Sequence, residues 1–132
     1  MNNNDNLSFG YLTVKVSTAR GAIPLSGAVV NIRGGQPDSS TILYSLISDD
    51  DGKTKVVTLP TPPIENSETP SGAAAYATYN IDVFKEGYLP LYFNNVPVFP
   101  SVISVQPAVM IPTAYANTTD GKNTTEDPSA IE

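Results

Sequence analysis

The 132-residue chain contains no cysteine and no histidine. Without cysteine, no disulfide can staple the fold and no thiol can act as nucleophile or metal ligand. Without histidine, Ser-His-Asp triads, Cys-His dyads and the usual zinc ligand sets are excluded. Positive charge is scarce as well. Seven Lys and Arg, dispersed along the chain, stand against 13 Asp and Glu, for a net charge of −6. Such a chain offers no electrostatic footprint for a nucleic-acid backbone. About half of the negative excess is peripheral: Asp120, Glu126, Asp127 and Glu132 against Lys122 give residues 113–132 a net of −3. Long apolar runs are missing, so nothing approaches a membrane span. The start, Met1-Asn2-Asn3-Asn4-Asp5-Asn6, lacks the basic and apolar regions of a secretion signal. As written, the chain reads as cytoplasmic, or as spore- or wall-associated by another route.

Twelve prolines and nine glycines are present, with 40% hydrophobic and 15% charged residues. No apolar i, i+3, i+4, i+7 stripe is long enough for a helix, so short strands joined by turns are expected in one domain. The first strand is Tyr11–Thr18, with Leu12, Val14 and Val16 inward and Thr13, Lys15 and Ser17 outward. Gly21 to Gly27 is a connection that returns Ile23 or Leu25 to the core. Ala28, Val30 and Ile32 form a second inward face, ended by Gly34-Gly35. After a polar excursion, Gln36 to Ser40, comes a third strand at Thr41–Ser48. Its two faces, Ile42/Tyr44/Leu46 and Leu43/Ile47, are both apolar. Asp50-Asp51-Gly52 is a hairpin signal leading into a returning strand, Lys53–Leu59. Ala77–Lys85 places Tyr79, Ile81 and Val83 inward and Asn80 and Asp82 outward. Glu86-Gly87 turns into Tyr88–Val98, where Pro90 and Pro97 indicate an edge or a bulge. Val102–Ile111, interrupted by Pro107, closes the set. The expectation is an all-β, seven-stranded Greek-key β-sandwich over residues 10–112. A flexible arm precedes it at 1–9, and a disordered, acidic, Thr/Asn-rich tail follows at 113–132.

Three phrases in order, Gly27-Ala28-Val29-Val30-Asn31-Ile32, Asp49 to Gly52, and Tyr79-Asn80-Ile81-Asp82-Val83 through Gly87-Tyr88, resemble the carboxypeptidase regulatory-like, or prealbumin-like, family. The resemblance spans roughly residues 10–111 and implies a prealbumin-like or Ig-like sandwich. Further phrases look like a clostridial subgroup of that family: Gly10 to Val14, Leu59-Pro60-Thr61-Pro62-Pro63, Asn95 to Phe99, and Ser104 to Pro107. Members of that subgroup sit beside peptidoglycan-binding or spore-cortex modules. The resemblance therefore implies a non-catalytic module at a bacterial cell wall or spore layer. Prealbumin-like folds also include a urate-pathway hydrolase that uses histidines and a C-terminal Tyr-Arg-Gly-Ser. This chain has no histidine and ends Pro128-Ser129-Ala130-Ile131-Glu132.

Candidate sites divide between structural and functional readings. Asp49-Asp50-Asp51 reads as a turn rather than a calcium loop, because consecutive carboxylates on a hairpin diverge. Lys15, Asp82 and Asn94 or Asn95 suggest an internal isopeptide bond, but alternation turns Lys15 outward. The aromatics Tyr76, Tyr79, Tyr88, Tyr92, Phe93 and Phe99 read as core and rim, or as a sugar-stacking platform. Residues 60–75 are either a recognition loop or a proline-rich cover for a sheet edge. The contact residues expected for a partner are Pro62, Pro63, Ile64, Tyr76, Tyr92 and Phe93. No catalytic residue, cofactor or metal is expected. The partner is a protein or a cell-wall glycan, unidentified, or a second copy of the chain. In that last, self-assembling alternative, the N-terminal arm completes a neighbour's sheet. An acid-pair hydrolase is disfavoured, because no two carboxylates are spaced convincingly as acid and base.

Overall fold

The computed structural model describes residues 7–35, 40–63 and 75–114, and all eight of its named elements are strands. They are β1 (Ser8–Thr18), β2 (Ile23–Pro24), β3 (Val29–Arg33), β4 (Ile42–Ile47), β5 (Val57–Thr61), β6 (Ala77–Phe84), β7 (Leu91–Val98) and β8 (Ile103–Val109). Two four-stranded sheets face each other. Sheet B has the order β4-β3-β6-β7. In sheet A, β1 is central. One flank of β1 carries β8, in parallel, and the other carries β5 and β2, both antiparallel. The architecture is the expected β-sandwich with eight strands rather than seven. The additional one is β2, a two-residue pairing made by the connection itself (Ser17 to Pro24, Thr18 to Ile23).

Alternation builds the core. Leu12, Val14, Val16, Val57, Leu59, Ala108 and Met110 project from the sheet A side. Ala28, Val30, Ile32, Tyr79, Ile81, Val83, Val96 and Val98 meet them from sheet B. Of the two candidates in the connection, Leu25 is buried and Ile23 exposed.

The expected hairpin around Asp50-Asp51-Gly52 is a crossover. β4 belongs to sheet B and β5 to sheet A, and the two do not pair. The turn closes on itself instead: Asp49 Oδ1 accepts from the backbone N–H of Asp51 (2.9 Å) and of Lys53 (3.0 Å). The regular return begins at Val57 rather than Lys53, because residues 53–54 run beside β1 through single contacts. Thr54 is one of these. Its N–H donates to Val14 O, and its hydroxyl oxygen accepts from Val14 N–H (3.0 Å). Thr13 donates to Thr54 O (2.8 Å), which explains why this outward threonine is buried. β1 begins at Ser8, inside the segment read as an arm, and pairs there with Thr61 of β5. Residues 1–6, 36–39, 64–74 and 115–132, covering most of the arm, most of the polar excursion, most of the proline-rich loop and most of the tail, lie outside the described residues. Among the described residues no helix is long and apolar enough to cross a membrane.

The flank shared by β4 and β5 is closed by two tyrosines of sheet B. Tyr44 donates to the carbonyl of Thr58 (2.9 Å), and Tyr79 donates to that of Pro60. Burial holds the Tyr79 phenol above its ordinary value of 10.0, with the neighbouring Tyr44 adding to the shift. The neutral phenol is therefore the form the fold prefers. Its contribution to stability is complete below the unfolded value near 10 and is lost as pH rises through the raised folded value. Urea titrations from about pH 7 to pH 11 should show stability falling at the alkaline end. The fall should be shallower in Tyr79→Phe, which also loses about 1 kcal/mol at neutral pH from the missing hydrogen bond. Identical alkaline slopes in the two proteins would contradict the assignment.

Candidate functional site

Sheet B presents an outer face whose composition departs from the polar pattern of a solvated sheet. Strand register places Ile47 beside Val29, and Val29 beside Phe84, in one row across β4, β3 and β6. Phe84 then meets Tyr92 of β7 edge-on, ring centroids 5.9 Å apart at 76°. Ile47 is 59% exposed and Tyr92 60%, so this row is a surface and not a second core. A shallow groove of about 370 Å³ continues it along Gly27, Val29, Phe84, Lys85, Glu86, Tyr88 and Pro90.

Beside the apolar row runs a polar one: Ser45, Asn31, Asp82 and Tyr92, each opposite the next. Arg33 grips Asp82 with two bonds, Nε to Oδ2 at 2.8 Å and Nη2 to Oδ1 at 3.0 Å. The hydrogen bond to Asp82 raises the guanidinium's pKa further, against the lowering effect of burial, so Arg33 stays charged at any working pH. The pair therefore neutralises itself on the face and leaves it without net charge at its centre. Asn31 Oδ1 is buried here with no hydrogen-bond partner among the described residues. An unmatched buried acceptor is costly, about 1–3 kcal/mol.

The sequence placed Asn80 and Asp82 outward. Both lie on the outer side of β6, yet both are buried. Asn80 is fully enclosed because it bridges the end of β3 and the bulge in β7: its Nδ2 donates to Gly34 O (3.0 Å) and its Oδ1 accepts from Asn95 N–H (3.1 Å). Asn95 sits at φ 61°, where the register between β6 and β7 shifts.

The expected contact residues do not form one site. Tyr92 is on the outer face of sheet B. Its neighbour Phe93 turns inward and packs against the core. Tyr76 lies at one end of the sandwich, its ring 5.3 Å from that of Phe99. Pro62 and Pro63 are half-buried just after β5, at the same end, and Ile64 lies outside the described residues. Sequence reasoning missed Ile47, Val29 and Phe84 as surface residues. The signal available for Ile47 was the doubly apolar pattern of β4, which burial on both faces also explained. Nor are Lys15, Asp82 and Asn95 brought together as an isopeptide bond requires. Lys15 is an exposed residue of sheet A, whereas Asp82 belongs to sheet B and is held by Arg33. Asp49 is engaged in its turn.

No family model matches the chain, and no curated protein matches it. Among solved structures it is similar to 3-chlorocatechol 1,2-dioxygenase from Rhodococcus opacus 1CP, with a TM-score of 0.53 and 12% identity over 83% of this chain and 62% of that one. Chlorocatechol 1,2-dioxygenase from Pseudomonas putida gives 0.51 and 16%, covering 83% and 62%. Wild-type catechol 1,2 dioxygenase from Acinetobacter radioresistens gives 0.51 and 14%, covering 94% and 58%. At such identities the likeness concerns the fold alone, an Ig-like β-sandwich. The chain spans less than two thirds of the length of each of these proteins.

Proposed function

We propose that this chain is a non-catalytic interaction module, whose contact surface is the outer face of sheet B and whose setting is a bacterial cell wall or spore layer. One observation carries the reading: the apolar row of exposed Ile47, half-buried Val29, and exposed Phe84 and Tyr92 on a face that alternation alone would leave polar. Contiguous exposed apolar surface of this kind marks interaction sites. Residue chemistry supports the non-catalytic part. Histidine and cysteine are absent, Asp82 is neutralised by Arg33, and Asp49 is used by its turn. The wall or spore setting rests on the family resemblance.

Co-sedimentation with purified peptidoglycan and with spore cortex tests this. Saturable pelleting is expected, weakened about tenfold or more by Tyr92→Ser, since a central tyrosine commonly contributes about 2 kcal/mol to an interface. Tyr76→Ser, at the end of the sandwich, should leave pelleting unchanged. Failure of the wild-type chain to pellet would sink the wall setting. Pelleting indifferent to Tyr92→Ser would sink the face.

A further inference from the structure

The open edges of the two sheets are not alike. Along β1, Phe9 O accepts from Ser101 N–H and Tyr11 N–H donates to Val102 O, so the odd residues of β1 turn their backbone toward β8. By alternation, Gly10 and Leu12 face β5, and Thr58 and Pro60 of β5 face the open edge. That edge is guarded: Pro60 has no N–H, and both carbonyls already accept the hydroxyls of Tyr44 and Tyr79. In β8, Met110 N–H donates to Ser17 O, which leaves Pro107 facing outward with no donor to offer. β7 carries Pro97 and the kink at Asn95, and β2 is two residues long with Pro24. These are the usual devices against edge-to-edge pairing.

β4 has neither proline nor charge. It reads Ile42-Leu43-Tyr44-Ser45-Leu46-Ile47, its only irregularity a register shift at the Leu43 end. Ser48 N–H donates to Ala28 O, so Leu46 and Tyr44 turn their backbone to β3. Ser45 and Ile47 present to solvent N–H and C=O groups that pair with no strand among the described residues. Leu43 and Ile47 are 43% and 59% exposed on the same face as Ser45.

We infer that β4 is a self-pairing edge, and that two copies of the chain join antiparallel, β4 to β4, about a two-fold axis at Ser45. The strand is self-complementary. Read in reverse, Leu43-Tyr44-Ser45-Leu46-Ile47 repeats its own pattern of large apolar residues around a central serine. In that register Ser45 faces its counterpart, Leu43 faces Ile47 of the second copy on either side, and Tyr44 faces Leu46 of the second copy. Isologous contacts of this kind are closed, so pairing stops at two. A neutral strand also lets two acidic chains meet without like charges directly opposed. The two four-stranded B sheets become one continuous sheet. The strand alone buries less surface than a stable interface needs, which places the dissociation constant at about ten to a few hundred micromolar. This inference shares Ile47 with the proposed contact face but does not depend on wall binding.

Sedimentation equilibrium of the full chain up to about 500 µM should show a reversible dimer. Ile47→Lys, at an exposed position, should weaken it at least tenfold, and Ser45→Pro should do the same. Circular dichroism would establish that each variant is folded. Because the chain has no cysteine, S45C carries a sole thiol at the axis. A short bis-maleimide should link it into a covalent dimer far faster than V105C on the guarded β8 edge, because the two thiols face each other across one pair of strands. A strictly monomeric wild type, a dimer that survives Ile47→Lys, or equal cross-linking of S45C and V105C would each overturn the inference. Tyr92→Ser, which tests wall binding, should leave the dimer intact, so the two ideas fail separately.

Discussion

Gly52→Ala is expected to cost about 3 kcal/mol or more, and to lower the melting temperature of a domain this size by roughly 10–20 °C. Two costs combine. Gly52 sits at φ 80°, where any Cβ is strained by about 1 kcal/mol. A Cβ there would also lie 2.3 Å from Val16 O, 3.2 Å from Pro24 Cβ and 3.3 Å from Leu25 N. The first of these is backbone in the central strand β1, and it cannot step aside as a flexible side chain would. Gly52 O meanwhile accepts from Val16 N–H at 2.7 Å, so moving the turn away breaks the bond that docks the crossover onto β1. Gly87 is the control. It has φ 88°, but a Cβ there would meet no atom of the described residues within 4 Å. Gly87→Ala should therefore show the conformational cost alone, about 1 kcal/mol. Equal losses at the two positions by urea denaturation would show that close approach contributes nothing at Gly52.

Gly52 also marks the limit of what could be read from the chain. Its positive φ was legible, because an acidic run ending in glycine needs that geometry whichever strands it joins. Its partner was not: a tight turn looks the same inside a hairpin and at a crossover between sheets. The inward residues of β1, β3 and β6 were legible for a related reason, since a period of two constrains every aliphatic in Leu12–Val16, Ala28–Ile32 and Tyr79–Val83 at once. The parallel pairing of β8 with β1 has no local signature, because nothing in Ile103–Val109 encodes which strand it meets. Of the proposed contact face, only Tyr92 was singled out from the chain. Its other members, Ile47, Val29 and Phe84, are ordinary strand residues until the register lines them up.

Asn80 is where period-two reading fails most instructively, and Asn80→Leu should lose about 3 kcal/mol although its shape is nearly conserved. Alternation puts residue 80 on the outer side of β6, and an outward asparagine in a strand is ordinarily solvated. Here the register shift at Asn95 and the close approach of the chain at Gly35, whose Cβ would lie 2.2 Å from Thr78 O, fold two segments over that position. The amide is then the only group able to pair with Gly34 O and Asn95 N–H together. A leucine of similar volume fills the space but leaves a donor and an acceptor unmatched, each at a cost of about 1–3 kcal/mol where water cannot reach. Asn80→Asp separates the two bonds. It keeps an acceptor for Asn95 N–H while losing the donor to Gly34 O, and it adds a buried charge near Asp82. Stability by urea denaturation should fall in both variants. Because Asn95 and Tyr92 share β7, released strain at the bulge should also appear as faster amide exchange across Tyr92 to Val96 in Asn80→Leu, with exchange in β1 changed only through the global loss. An Asn80→Leu protein as stable as the parent would mean that these bonds merely replace bonds to water, and that the bulge holds the amide rather than the amide the bulge.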